Sequence, residues 1–161
     1  MTIKKLYLLR HAKSSWKDFS IRDFDRPLNK RGKHDAPLMA ARMKERGLHP
    51  DIIFSSPARR AKVTGKHFAA ALDTKLLLVD SIYESSVNRL KEIAKEAFRE
   101  YDSVMIVGHN PAMTVFSNTL SDHYIDNLPT TGIIGFAFDA EDKELEKAEL
   151  LFFDYPKNST P

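Results

Sequence analysis

Apolar and polar positions alternate in blocks along the chain. Residues 5–9 read as a short buried strand, with an apolar run over 6–9 stopped by Arg10. Residues 12–31 form a polar stretch that reads as too charged to pack inside. Over residues 35–46, Leu38, Met39 and Met43 recur at helical spacing, and Gly47 suits a helix C-terminus. A second short strand is predicted over residues 51–54. Ser56 and Pro57 read as the N-cap and first position of a helix that carries Ala61, Gly65, Phe68, Ala69 and Leu72 on one face. A strand over 75–79, a helix over 90–98 and a strand over 103–107 follow. Asn110 and Pro111 repeat the capping pattern ahead of a helix running toward Leu120. Residues 133–138 and 145–153 are strand-like, joined by a polar turn over 140–144, and predict a terminal hairpin.

This order predicts one α/β domain over residues 1–155, with 156–161 as a loose tail. Continuous apolar strands separated by helices require a mostly parallel central sheet covered on both faces, a three-layer α/β/α sandwich. The hairpin adds an antiparallel strand. In such folds the functional crevice lies beyond the carboxyl ends of the strands.

Composition narrows the partners. The chain has 161 residues, 42% of them hydrophobic, and 25 Lys plus Arg against 22 Asp plus Glu for a net charge of +3. That length suits one domain with a core of its own. The sequence pI of about 9.0 is mildly basic without a dense cationic run, which suits an anionic substrate and argues against nucleic acid. The absence of cysteine excludes disulfides, thiolate nucleophiles and cysteine-ligated zinc. The N-terminal apolar run Leu6 to Leu9 is shorter than the roughly 7–15 residues of a signal peptide and no run approaches the roughly 18 of a membrane span, so a cytoplasmic protein without membrane partners is expected. A monomer is compatible with everything in the chain.

The predicted strand ends carry the chemistry. The first strand runs into Arg10 and His11, the second into Ser55, Ser56 and Pro57 with Arg59 and Arg60 just beyond, and the fourth into Gly108, His109 and Asn110. Taken singly, each histidine reads as a structural residue and each arginine as a solvated helix start. Their recurrence at one edge of one sheet is what a core does not need. Neither an HExxH nor an HxH pattern occurs, and adjacent arginines would repel a cation, so no metal or cofactor is expected. Two arginines and two histidines without clustered carboxylates suit a phosphate-like anion. A neutral imidazole is a nucleophile toward phosphorus, so His11 is the candidate nucleophile, with Arg10, Arg60 and His109 holding phosphoryl oxygens.

These residues resemble the histidine phosphatase superfamily, which has the phosphoglycerate mutase-like fold. Its Arg-His-Gly signature stands here as Arg10-His11-Ala12. Its Ser-x-x-x-Arg-Ala-x-x-Thr pattern stands as Ser56, Arg60, Ala61 and Thr64, and its third motif as Gly108-His109-Asn110. Arg26-Pro27-Leu28-Asn29 with Gly32 is similar to a further family segment. The chain is similar in length to the short SixA-type phosphohistidine phosphatases. The resemblance implies a metal-independent phosphatase with a phosphohistidine intermediate on His11, and phosphate ligands Arg10, Arg60 and His109. Arg59 lies one position off the motif. Ala12 departs from the usual glycine. The family's leaving-group acid has Glu84 as its nearest counterpart, with Asp18 as a second candidate.

Residues 13–33 hold seven basic side chains (Lys13, Lys17, Arg22, Arg26, Lys30, Arg31, Lys33) and three acidic ones (Asp18, Asp23, Asp25), with Trp16 and Phe19 among them. This is either a solvated loop with two packed aromatics or a docking surface for a phosphoprotein. The expected substrate is a phosphorylated protein or a small phosphorylated molecule. A mutase and a non-catalytic phosphate-binding module are the alternatives.

Overall fold

The computed structural model describes residues 2–158. These residues form β1 (Ile3–Arg10), α1 (Lys30–Arg46), β2 (Ile52–Ser55), α2 (Arg59–Leu72), β3 (Leu76–Leu78), α3 (Val87–Ala97), β4 (Ser103–Gly108), α4 (Ala112–Leu120), β5 (Ile133–Asp139) and β6 (Glu149–Asp154), with single 3-10 turns at Asp23–Asp25 and Asp80–Ile82. The strands make one sheet in the order β3-β2-β4-β1-β5-β6. Every neighbouring pair is parallel except the two made by β5, which runs antiparallel to β1 and to β6. The expected α/β/α sandwich with one antiparallel strand is therefore the observed fold.

Period-two alternation distributes the core. Leu6 and Leu8 of β1, with Val104 and Ile106 of β4, pack against Leu90, Ile93, Met113 and Phe116 of α3 and α4. Tyr7, Leu9, Met105 and Val107 point the other way, onto Met39, Met43, Ala61 and Phe68 of α1 and α2. The two central strands are thus apolar on both faces, which is why they read as unbroken runs. The chain leaves β1 toward the α1/α2 layer and leaves β4 toward the α3/α4 layer. The carboxyl ends of these neighbouring strands form a topological switch point.

Several boundaries differ from expectation. The stretch after β1 does pack inside: Ala12, Ser14, Arg26 and Leu28 are buried, and Ser14 bridges to Leu28. The periodicity missed this because Arg26 is buried through its polar contacts. Helix α1 begins at Lys30, five residues before the predicted start, since Asn29 caps it by accepting from the Gly32 amide at 2.9 Å. Gly47 closes it at φ 85° as expected. Ser56 is not the cap of α2, whose capping residue, Ala58, makes no side-chain cap bond. The Ser56 hydroxyl is turned to His109 instead. Asn110 accepts from the Thr114 amide at 3.2 Å, while α4 itself begins after Pro111. Strand β6 starts at Glu149, because buried Leu145 sits in the connection at φ 53°. Beyond β6, Arg42 donates to the carbonyls of Tyr155 and Pro156. Residues 159–161 of the predicted tail lie outside the described residues.

The loop after β1 is held against α1 by a contact that only glycine permits. A Cβ on Gly32 would stand 2.1 Å from the Lys13 carbonyl oxygen, and backbone cannot rotate away. We predict that Gly32→Ala costs roughly 1–3 kcal/mol in urea unfolding, the range of an overpacked site. A neutral substitution would show that the loop can lift off the helix.

Candidate active site

Register places the two histidines together. Arg10 of β1 pairs with Gly108 of β4, so His11 and His109 leave neighbouring strands side by side, ring centroids 5.1 Å apart. Thr131, on the entry to β5, secures this end of β1. Its amide donates to the carbonyls of both Arg10 and His11, each at 3.1 Å. It does so at φ 57°, a conformation that a β-branched residue adopts only under local constraint. Thr64 of α2 ties the next residue down. Its hydroxyl accepts from the Ala12 amide at 2.9 Å and donates to the Arg60 carbonyl at 2.7 Å. The threonine in the sequence pattern is therefore a link between the strand end that carries His11 and the helix that carries Arg60.

His11 is 7% exposed. Its Nδ1 lies 2.7 Å from the Ala12 carbonyl oxygen, which can only accept. The proton is therefore on Nδ1, and Nε2 keeps its lone pair. Burial above all, with His109, Arg60 and Arg10 acting the same way and the Ala12 carbonyl opposing, lowers the His11 pKa from 6.5 to about 3. His109 is lowered to about 4, chiefly by burial and then by Arg60, with Asp23 opposing. Its Nε2 is 2.8 Å from Ser56 Oγ, which already accepts from the Ala58 amide at 3.1 Å. Giving the serine hydrogen to Nε2 assigns the ring proton to Nδ1.

The arginines are held by one carboxylate. Arg60 donates to the Asp23 carbonyl at 2.7 Å and to Asp23 Oδ2 at 3.0 Å, while Arg26 donates to Oδ1 at 3.0 Å. The Tyr83 hydroxyl donates to Oδ2 at 2.8 Å. Despite some desolvation, hydrogen bonds from Tyr83, Arg60 and Arg26 bring the Asp23 pKa down to about 2, so it stays ionised. Arg10 donates to the Leu128 carbonyl at 3.0 Å. Arg26 also stacks over Trp16, 3.5 Å from the ring centroid.

The result is a cleft of about 380 Å³ lined by Arg10, His11, Lys13, Ser14, Trp16, Arg26, Arg60, His109, Asn110 and Thr130. It holds four cations, two neutral imidazoles and no carboxylate. Arg10 Nε, Arg60 Nε and His109 Nδ1 are buried donors without a hydrogen-bond partner among the described residues. Two guanidinium groups lining one cleft suit the oxygens of an anion.

The structure thus brings Arg10, His11, Arg60 and His109 into one cleft. Arg59 is exposed, while Arg60 is buried. Glu84 does not line the cleft. It is exposed, at φ 56°, in a neighbouring groove that shares His109 and Asn110. Asp18 is exposed on the loop, where its Oδ1 accepts from the Ser20 amide and hydroxyl, which lowers its pKa. Among the described residues no cluster of three or more potential ligands could hold a metal ion. Asp23, Tyr83, Arg26 and Thr131 were absent from the sequence-based site. The pairing of Arg26 with Asp23 three residues earlier was the one local signal available.

An open α/β sheet with a cationic cleft at its switch point defines a class of phosphoryl-binding proteins. The histidine phosphatase superfamily (branch 1) model matches residues 6–102, and the chain belongs to that superfamily. It is 33% identical over 129 residues to an uncharacterised chloroplastic protein of Arabidopsis thaliana, covering 73% of this chain and 59% of that one. It is 35% identical over 82 residues to phosphoserine phosphatase 1 of Hydrogenobacter thermophilus, covering 50% of this chain and 38% of that one. The chain therefore spans less than two thirds of these curated relatives. A solved structure assigned as the phosphohistidine phosphatase SixA of Agrobacterium tumefaciens superposes with TM-score 0.84 at 30% identity, over 95% of this chain and 98% of that one. The protein histidine phosphatase SixA complexed with tungstate shares the fold at TM-score 0.84 and 18% identity, over 97% of this chain and 99% of that one.

Both histidines titrate below the ordinary 6.5 in the folded chain, so the unfolded chain takes up their protons first. Stability is then lost as pH falls through about 6.5, and this loss ends only near the folded-state values. Between about pH 6 and pH 4 the protein should lose about 1.4 kcal/mol per pH unit more than the His11→Gln variant, read by urea unfolding. Equal slopes would mean that the His11 ring is solvated or charged in the folded state.

Proposed function

We propose that the protein is a metal-independent phosphatase acting through a phosphohistidine intermediate on His11, with a phosphohistidine on another protein as its substrate. The observation that carries this reading is the cleft itself, in which an unprotonated, fixed imidazole faces four cations and no acid. His11 Nε2 attacks phosphorus, the Nε2–P bond forms, and the bond from phosphorus to the leaving atom breaks with its electron pair. Arg10, Arg60 and the His109 Nδ1–H hold the equatorial oxygens as charge shifts. The Ala12 carbonyl takes up the growing positive charge on the ring through Nδ1–H. Water then attacks phosphorus, Nε2 leaves, and phosphate departs as the proton passes to solvent or to phosphate.

The leaving group selects among substrates. An alkoxide needs a proton from an acid, and Asp23 stays ionised, Asp18 is engaged by Ser20, and Glu84 lies outside the cleft. A phosphohistidine protonated on its far nitrogen departs as neutral imidazole and needs no enzyme acid. Similarity to phosphoserine phosphatase 1 over half the chain supports a second reading, a phosphatase of small phosphate esters. That reading requires Glu84 to reach the leaving oxygen. Four cations without clustered carboxylates also support chemistry that needs no metal or cofactor.

Two measurements test the proposal. Rapid quench with a labelled phosphohistidine protein, after exhaustive dialysis against chelator, is expected to trap an acid-labile, base-stable phosphoprotein that His11→Ala cannot form. Near-normal turnover by His11→Ala would sink the mechanism. Separately, Arg60→Ala should lose about 10²–10³ in rate, the usual cost of one oxyanion donor. Arg59→Ala should be nearly silent, and the reverse ranking would place the phosphate elsewhere.

A further inference from the structure

The described residues outside the catalytic cleft carry one distinctive surface. Three aromatic side chains are far more exposed than packing requires: Phe19 at 88%, Tyr124 at 70% and Trp16 at 63%. Trp16 and Tyr124 line grooves at the carboxyl ends of the central strands, and Phe19 belongs to the loop that leaves β1. Trp16 lines the cleft, and Phe19 lies three residues further along the same loop. On the opposite side, Tyr124 lines a groove of about 420 Å³ with Pro111, Val115 and Asn110, and Asn110 also lines the cleft. The apolar wall of Pro111 and Val115 continues into the groove that holds Glu84 and shares His109.

Two of these aromatics are held in place, Trp16 at its ring and Tyr124 through the backbone beside it. Arg26 stacks on Trp16. Asn118 of α4 holds the segment that bears Tyr124, accepting from the Ile125 amide at 3.0 Å and donating to the Ile125 carbonyl at 2.9 Å. Exposed aromatics on pre-ordered backbone lose little further entropy when covered, which is the property of binding anchors.

The two sides differ in charge. Residues 13–33 carry seven basic and three acidic side chains, a net 7 − 3 = +4. Lys13 and Lys17 are exposed and have no ion pair among the described residues. On the Tyr124 side, Glu84, Asp122 and Asp126 are exposed and likewise unpaired among the described residues. An anionic membrane would be drawn to one side and repelled by the other. A folded protein can match both.

We propose that this rim is a polarised docking surface for a folded phosphoprotein, which seats apolar side chains on Phe19 and Tyr124, acidic residues against Lys13 and Lys17, and basic residues against Glu84 and Asp126. The polarity sets one orientation of the partner, with its phosphorylated side chain over the cleft. This inference rests on the phosphoprotein reading of the same cleft. It adds which residues select the partner and which way round it binds.

The test uses the full chain and two substrates, p-nitrophenyl phosphate and a histidine phosphotransfer domain phosphorylated with phosphoramidate. The double variant Phe19→Ala with Tyr124→Ala should lose on the order of tenfold or more in kcat/KM on the protein, as expected for two binding anchors. Its hydrolysis of p-nitrophenyl phosphate should be unchanged, which also reports that it is folded. Lys17→Glu and Asp126→Lys should each lower kcat/KM on the protein at low salt, and the deficit should vanish near 1 M salt, where the Debye length is about 3 Å. If the wild type prefers the phosphoprotein and the double variant handles it equally well, the rim is wrong while the substrate reading stands. If the wild type does not prefer the phosphoprotein, both fall. Retention of the chain on phosphatidylserine-containing vesicles, lost in the double variant, would assign the aromatics to a membrane instead.

Discussion

The pairing of β1 with β4 is the constraint on which the site depends. These strands are buried on both faces, so their register is set by core packing on either side and cannot slip by one residue without turning Leu6, Leu8, Val104 and Ile106 onto the wrong layer. That register brings Arg10 level with Gly108, and the next residues, His11 and His109, emerge together. Because the chain departs toward opposite layers after the two strands, no connection covers the spot. The crevice follows from topology, and its occupants follow from which residues stand one step past the strand ends.

Burial then decides the chemistry. In water an imidazole beside several guanidinium groups would lose only part of its basicity. Here desolvation is the largest influence on both histidines, and neighbouring cations act in the same direction. His11 is thereby kept unprotonated next to the cations of the cleft. Those cations would repel each other without Asp23, which engages Arg26 through one carboxylate oxygen and Arg60 through the other. Asp23 is a counter-charge that leaves the cleft lining free of carboxylate. Its ion pairs with Arg26 and Arg60 also fasten the loop after β1 to helix α2.

That loop joins the two levels of the molecule. Its inner side is built into the structure through Ala12, Ser14, Arg26 and Leu28, while Trp16, Phe19 and Lys17 stay at the surface. One segment of chain thus supplies a buried wall of the phosphate cleft and an exposed rim beside it. Rigid backbone with exposed aromatic side chains is a costly arrangement for solubility.

The unbroken apolar runs of β1 and β4 and the helical spacing in α1 and α2 made the layered fold legible in the chain, because burial on both faces leaves no polar position to interrupt a strand. Arg10, His11, Arg60 and His109 were legible too, since each stands at a strand end or one turn beyond. The match of Ser56, Arg60 and Thr64 to the family's pattern is what separates Arg60 from Arg59 within the chain. Long-range pairing was not legible. Nothing local says that Asp23 will reach Arg60 as well as Arg26, that Tyr83 will join it, that Thr131 will hold the end of β1, or that Ser56 will bond His109 rather than cap α2. Nor could periodicity show that the loop carrying Arg26 folds inward, because a buried arginine is tolerated only once its partners are in place. The chain alone determined which groups stand at the strand ends. The tertiary structure decided their protonation and their partners, because desolvation and ion pairing depend on neighbours that are distant in sequence.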